Sequence, residues 1–190
     1  VTDDNLCVDS LSMFIDQPTA PIALSATQVD ILCFGDFTGE IDLTATGGTP
    51  ATTGYVYSWN NGVFATEDLT DIPFGTYGVF VMDSLFCIDS LSLTLTQPAA
   101  PIDIEFTILN VYCFEDSTGD VSAEISGGTG PYTWFWDFPI ADTTLFIDSL
   151  PANGYVLNVV DSNMCTYAET AVVTQPAGPL MSAYADVQPS

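Results

Sequence analysis

The chain of 190 residues contains no Lys, no Arg and no His, against 25 Asp plus Glu, so its formal charge is −25. Each absence excludes something. Without side-chain cations nothing neutralises phosphates, which removes nucleic acids and anionic membrane surfaces as partners. Without His there is no imidazole base and no His metal ligand, which removes most zinc sites and Ser-His or Cys-His nucleophile chemistry. Without Lys there is no Schiff base, and trypsin-like proteases have nowhere to cut. No run of 18 apolar residues is present, and no basic-then-apolar leader opens the sequence, so membrane insertion is not expected. No Asn-x-Ser/Thr sequon and no Cys-x-x-Cys pair occurs. What remains is a chain 47% apolar and 12% aromatic, rich enough to bury a core, with carboxylates and hydroxyls that suit hard cations such as calcium.

The five cysteines fall into two classes, a first class of Cys33 and Cys113 and a second class of Cys7, Cys87 and Cys165. Cys7, Cys87 and Cys165 each follow a Val-x-Asp element and precede a Gln-Pro joint: Gln17-Pro18, Gln97-Pro98 and Gln175-Pro176. Their spacings are 80 and 78 residues. Cys33 and Cys113 open the other class, in Cys33-Phe34-Gly35-Asp36-Phe37-Thr38-Gly39 and Cys113-Phe114-Glu115-Asp116-Ser117-Thr118-Gly119, also 80 residues apart. Fourteen residues after each stands Gly47-Gly48-Thr49 or Gly127-Gly128-Thr129. This phase predicts four segments: 1–21 as the C-terminal end of a preceding repeat, 22–100 and 101–178 as full repeats, and 179–190 as the start of a following one. It suggests an excerpt of a longer array. It also pairs Cys33 with Cys87 and Cys113 with Cys165, leaving Cys7 for a partner outside the chain; the alternative is that Cys7 cross-links two chains. Regularly spaced cysteines in an acidic, turn-rich chain suggest secretion.

Within a repeat the pattern is β throughout. Glu40–Thr46, Tyr55–Trp59, Thr76–Met82 and Ser90–Thr96 are short, rich in β-branched or aromatic residues and bounded by turn residues. Six or seven such strands in about 80 residues predict an all-β chain of tandem immunoglobulin-like sandwiches. The stiff proline joints predict a rod with an axial step on the order of 30–40 Å.

The order Cys-x-Gly/Glu-Asp-x-Thr-Gly, Gly-Gly-Thr, aromatic-Trp, Gly-(Thr)-Tyr, Val-x-Asp-x-x-x-Cys and Gln-Pro resembles the SprB repeat of Bacteroidota surface proteins. Pro131-Tyr132 supplies the Pro-Tyr after Gly-Gly-Thr, where the first repeat inserts Ala51-Thr52-Thr53-Gly54-Tyr55. The resemblance implies an extracellular, type IX-secreted filamentous adhesin or surface fibre, of the kind moved in gliding motility. Its partners would be neighbouring repeats, identical chains in a fibre and surface glycans.

Three further sets of residues invite chemistry. Asp36, Glu40 and Asp83 recur as Asp116, Asp120 and Asp161 and are candidate calcium ligands, against a plainer role capping turns. No cofactor is required. The tripeptide Asp-Ser/Thr-(apolar or Thr) places candidate O-glycosylation at Ser10, Ser84, Ser90, Ser117, Thr143 and Ser149, against ordinary turn chemistry. The stripes Tyr55, Tyr57, Trp59 and Tyr132, Trp134, Trp136 suit core packing better than sugar stacking; Phe135 and Phe138 lie off them and suit a contact between chains or domains. Carboxylates that recur on turns are not the differentiated pair of a glycosidase, so no enzymatic activity is expected. The fibre reading has one rival: a carbohydrate-binding or spacer module of a larger secreted enzyme or surface-layer protein.

Overall fold

The computed structural model describes residue 1 and residues 4–13, 17–137 and 144–179. Every named element is a strand, and the strands fall into two compact units: Val1–Val29 with Gly39–Leu95, and Asp30–Thr38 with Thr96–Ser190.

In the first unit the strands are β1 (Ala23–Val29), β2 (Gly39–Thr46), β3 (Val56–Trp59), β4 (Leu69–Ile72), β5 (Gly75–Met82) and β6 (Ile88–Leu95). They form two antiparallel sheets, ordered β1-β2-β4 and β3-β5-β6. The second unit repeats the plan with β7 (Asp103–Leu109), β8 (Gly119–Ser126), β9 (Thr133–Trp136), β10 (Phe146–Leu150), β11 (Asn153–Val160) and β12 (Thr166–Val173), in sheets β10-β8-β7 and β12-β11-β9.

Period-two alternation explains why these segments are strands with one wet and one dry face. In β2, Ile41 and Leu43 are buried while Glu40, Asp42 and Thr44 are exposed. In β5, Tyr77, Val79 and Val81 are buried, and in β11 their counterparts Tyr155, Leu157 and Val159. In both units the sheet partition and strand order match an immunoglobulin sandwich reduced to A-B-E and C-F-G. Two further marks of that fold are present. Trp59 and Trp136, at the ends of the third strands, are buried and donate their indole N–H to the carbonyls of Thr66 and Thr144, each at 2.9 Å. Tyr77 and Tyr155 donate their hydroxyls to Pro73 O and Pro151 O, four residues upstream, each at 2.8 Å. Among the described residues no cystine joins strands B and F as in antibody domains: β2 faces inward with Ile41 and Leu43 and β5 with Tyr77, Val79 and Val81 instead. The cysteines sit in loops.

The loop carrying Cys33, counted with repeat 22–100 by sequence, belongs by its contacts to the second unit. It is tied there to the joint: Ile31 N–H donates to Thr96 O at 2.9 Å and Thr96 N–H donates to Asp30 Oδ1 at 2.8 Å.

Candidate functional site: a cysteine staple beside an aspartate clasp

Cys87 and Cys165 each close a tight turn built on a buried aspartate. Asp161 follows β11 and is 3% exposed. Its Oδ1 accepts the N–H groups of Asn163 and Cys165 at 2.8 and 2.9 Å, and its Oδ2 accepts that of Thr129 at 2.9 Å. Ser162 completes the clasp: its N–H and its hydroxyl both donate to Thr129 O, at 2.9 and 2.8 Å. The first unit repeats this atom for atom. Asp83 accepts from Leu85, Cys87 and Thr49, each at 2.9 Å, and Ser84 donates twice to Thr49 O. These donors, Thr49 N–H first, hold the Asp83 carboxyl below its usual value against the opposing effect of burial. A chain without basic side chains thus satisfies two buried aspartates chiefly with main-chain N–H donors.

The Gly-Gly-Thr element is required by the same clasp. Gly127 has φ +70°, and a Cβ there would lie 1.7 Å from Pro101 O; at Gly47 the distance would be 1.9 Å from Pro21 O. Gly128 and Gly48 leave room for the aspartate itself, since a Cβ would stand 2.9 Å from Asp161 Oδ2 and 2.8 Å from Asp83 Oδ2. Tyr132 and Tyr55 pin the turns by donating their hydroxyls to Gly127 O and Gly47 O.

The residue before each second-class cysteine is left-handed and not glycine: Leu6 (φ 64°), Phe86 (φ 64°) and Met164 (φ 67°). Such backbone is uncommon for bulky residues and marks a turn held by its surroundings. The first-class loops are alike as well. Gly35 and Glu115 have φ 82° and 60°, and their N–H groups donate to the side-chain oxygens of Gln97 and Gln175, each at 2.9 Å. The glutamine of the Gln-Pro joint therefore holds the first cysteine's loop, a role that sequence reasoning missed. The recurring 62- and 60-residue offset between the two motifs was the available signal.

Among the described residues there is one disulfide. It joins Cys33 to Cys165, with Cα atoms 5.6 Å apart across 132 residues of sequence. This corrects the expected pairs Cys33–Cys87 and Cys113–Cys165. A sulfur makes one such bond, and the loop of Cys33, grouped with the second unit, brings it to Cys165. Asn163 Nδ2 reinforces that seating by donating to Leu32 O at 3.0 Å. Cys7, Cys87 and Cys113 are exposed thiols. Around the bridge lies an open groove of about 500 Å³, lined among others by Cys33, Phe34, Asp36, Pro101, Ile102 and Gly128.

The candidate calcium ligands do not converge. Asp83 and Asp161 spend their oxygens on N–H donors, Asp36, Glu40 and Asp116 are exposed, and Asp120 is half-buried. Among the described residues no group of three or more acidic or thiol side chains is placed to hold a metal ion. Of the candidate glycosylation sites, Ser84 uses its hydroxyl in the clasp. Ser10, Ser90 and Ser117 are exposed, as is Ser149, which sits at φ 56° in the irregular part of β10. Thr143 and Phe138 lie outside the described residues. The aromatic stripes face inward: Trp59 and Trp136 are buried and Tyr55, Tyr57, Tyr132 and Trp134 half-buried, whereas Phe135 is exposed.

Known proteins resemble the chain as follows. No curated protein matches its sequence. Similar solved structures include the N-terminal eight Ig domains of Down Syndrome Cell Adhesion Molecule isoform 1.30.30, with a TM-score of 0.47 and 9% identity over 85% of this chain and 25% of that one. The full ectodomain of mouse nectin-like molecule 4 matches with a TM-score of 0.37 and 9% identity, over 86% of this chain and 67% of that one. Domains 4 and 5 of the S-layer protein SbsC match with a TM-score of 0.31 and 15% identity, over 82% and 100%. The chain spans a quarter of the length of the first of these. The SprB repeat family matches residues 25–64 and 106–137, which hold the first-class cysteine loops, the Gly-Gly-Thr turns and the buried tryptophans. The chain is thus similar to the SprB repeat in two regions, and that family is found in Bacteroidota surface proteins.

Proposed function

We propose that the chain is a non-enzymatic segment of a secreted extracellular fibre or surface adhesin, in which sandwich repeats in series hold a binding element away from the cell. The observation that carries this reading is the cysteine staple combined with the repeat match. A bridge between residues 132 apart withholds about 460 Å of contour at ~3.5 Å per residue, so tension meets a covalent stop before the fold can pay out. A formal charge of −25 keeps neighbouring fibres apart and soluble. Exposed Ser10, Ser90, Ser117 and Ser149 offer sites for glycans that shield loops from proteases.

The test is localisation and form. An antibody against this chain is applied to intact cells and read by electron microscopy. Decoration of filaments outside the cell is expected. Label confined to the cell interior, or on a particle with catalytic activity, would overturn the proposal; the second result would favour a spacer module in a secreted enzyme.

A further inference from the structure

The observed bridge joins the first cysteine of one sequence repeat to the second cysteine of the next. We infer that this is the rule of the array: Cys87 with its groove is the acceptor for the Cys-Phe-x-Asp loop of a preceding repeat, and Cys113 is the donor to a following one.

Three observations carry this. The acceptor turn is the same wherever it occurs, with a left-handed residue before Cys7, Cys87 and Cys165 and the same aspartate clasp under the last two. The donor loop is the same at Cys33 and Cys113, held by Gln97 or Gln175 and closed by the hydrogen bond from Asp36 N–H to Cys33 O or from Asp116 N–H to Cys113 O, each 3.2 Å. The groove is also the same. In the first unit an open groove of about 560 Å³ is walled by Pro21, Ile22, Gly48, Cys87, Ile88 and Asp89. The second unit presents Pro101, Ile102, Gly128, Cys165, Thr166 and Tyr167 at the equivalent positions, and there Cys33, Phe34 and Asp36 form the facing wall. The first unit's groove has every part except that wall, and Cys87 stands in it as an exposed thiol. Phe86 and Ile88, exposed at 77% and 62%, flank the thiol. This inference rests on the bridge and its repeat, and does not depend on what the fibre binds.

Bond formation is a two-electron oxidation. The two thiols lose two protons and two electrons as the S–S bond forms, and a small-molecule disulfide such as oxidised glutathione takes them up and leaves as two thiols.

The test extends the whole chain. Residues 22–80 are copied and joined ahead of Val1, which completes a preceding repeat in register. The protein is refolded with a glutathione redox buffer, free thiols are alkylated, and an acid-specific protease generates a non-reducing peptide map. The expected map retains Cys33–Cys165 and links the added copy of Cys33 to Cys87, with Cys7 and Cys113 alkylated. Cysteines outside a disulfide and open to alkylation thus fall from Cys7, Cys87 and Cys113 to Cys7 and Cys113, although a cysteine has been added. A bridge from the added Cys33 to Cys7, or a fully alkylated Cys87 in molecules that retain Cys33–Cys165, would overturn the inference. The retained bridge reports folding of the second unit in the same sample and Trp59 fluorescence reports the first, and an Asp83→Asn version, with the acceptor turn weakened, should form less of the new bridge while keeping Cys33–Cys165.

Discussion

Replacing Asp161 by Asn tests whether the clasp stabilises the second unit as its geometry indicates. The variant keeps size and shape and removes the charge. Oδ1 can still accept from Asn163 and Cys165, now as neutral hydrogen bonds of roughly half the strength. The amide nitrogen then faces Thr129 N–H where Oδ2 stood at 2.9 Å, donor against donor. Weakening two charge-assisted bonds costs about 1 kcal/mol each, and leaving one buried N–H unsatisfied costs about 1–3 kcal/mol. The sum is about 3–5 kcal/mol, or roughly 12–40 °C in melting temperature for a unit of this size. Denaturant unfolding followed by tryptophan fluorescence measures it, since Trp134 and Trp136 report the second unit and Trp59 the first. Glu105→Gln, which removes an exposed charge from β7, is the control and should change little. An Asp161→Asn protein within about 0.5 kcal/mol of the parent, or a Glu105→Gln loss of equal size, would refute the reasoning.

Other expectations follow from the same contacts. Cys165→Ser removes a cross-link worth about 5 kcal/mol in the chain-entropy model, and non-reducing denaturant titration of the two proteins should show it, with Cys33 newly open to alkylation. Asp83 has a folded-state pKa below its unfolded one, so its stabilisation is full above the ordinary value of about 3.9 and is lost as pH falls through the lowered value. Acid titration of the first unit should therefore stay flat or rise until that range and then fall, and Asp83→Asn should erase the fall. Gly127→Ala forces a Cβ against Pro101 O from a left-handed backbone and should cost at least about 2 kcal/mol by thermal melting. Tyr155→Phe leaves Pro151 O without its donor and should cost about 1–2 kcal/mol in the same assay.

The strands were legible because alternation in segments such as Glu40–Thr46 is a direct consequence of a half-buried sheet, and β2 lies where the pattern put it. The two classes of cysteine were legible from their flanking motifs, and the bridge does join one class to the other. The pairing was not legible. Linking first to second cysteine within a repeat, or from one repeat to the next, satisfies the same motif spacing; the first leaves Cys7 alone over, the second leaves Cys7, Cys87 and Cys113. Only the three-dimensional course of the loop after β1 distinguishes them. Likewise, Asp83 and Asp161 stood out as recurrent carboxylates, but sequence could not show that their partners are the N–H groups of Thr49 and Thr129, more than thirty residues away.

The clasp also sets how the protein responds to brine. Most folds carry attractions between opposite charges that dissolved ions weaken. Here the buried anions are matched by peptide hydrogens at hydrogen-bond distance, too close for mobile ions to intervene, while the charges left outside only repel one another. Added electrolyte therefore has electrostatic repulsion to relieve and no ion pair between side chains to loosen, so concentrated salt water should tighten this polymer where it loosens many others.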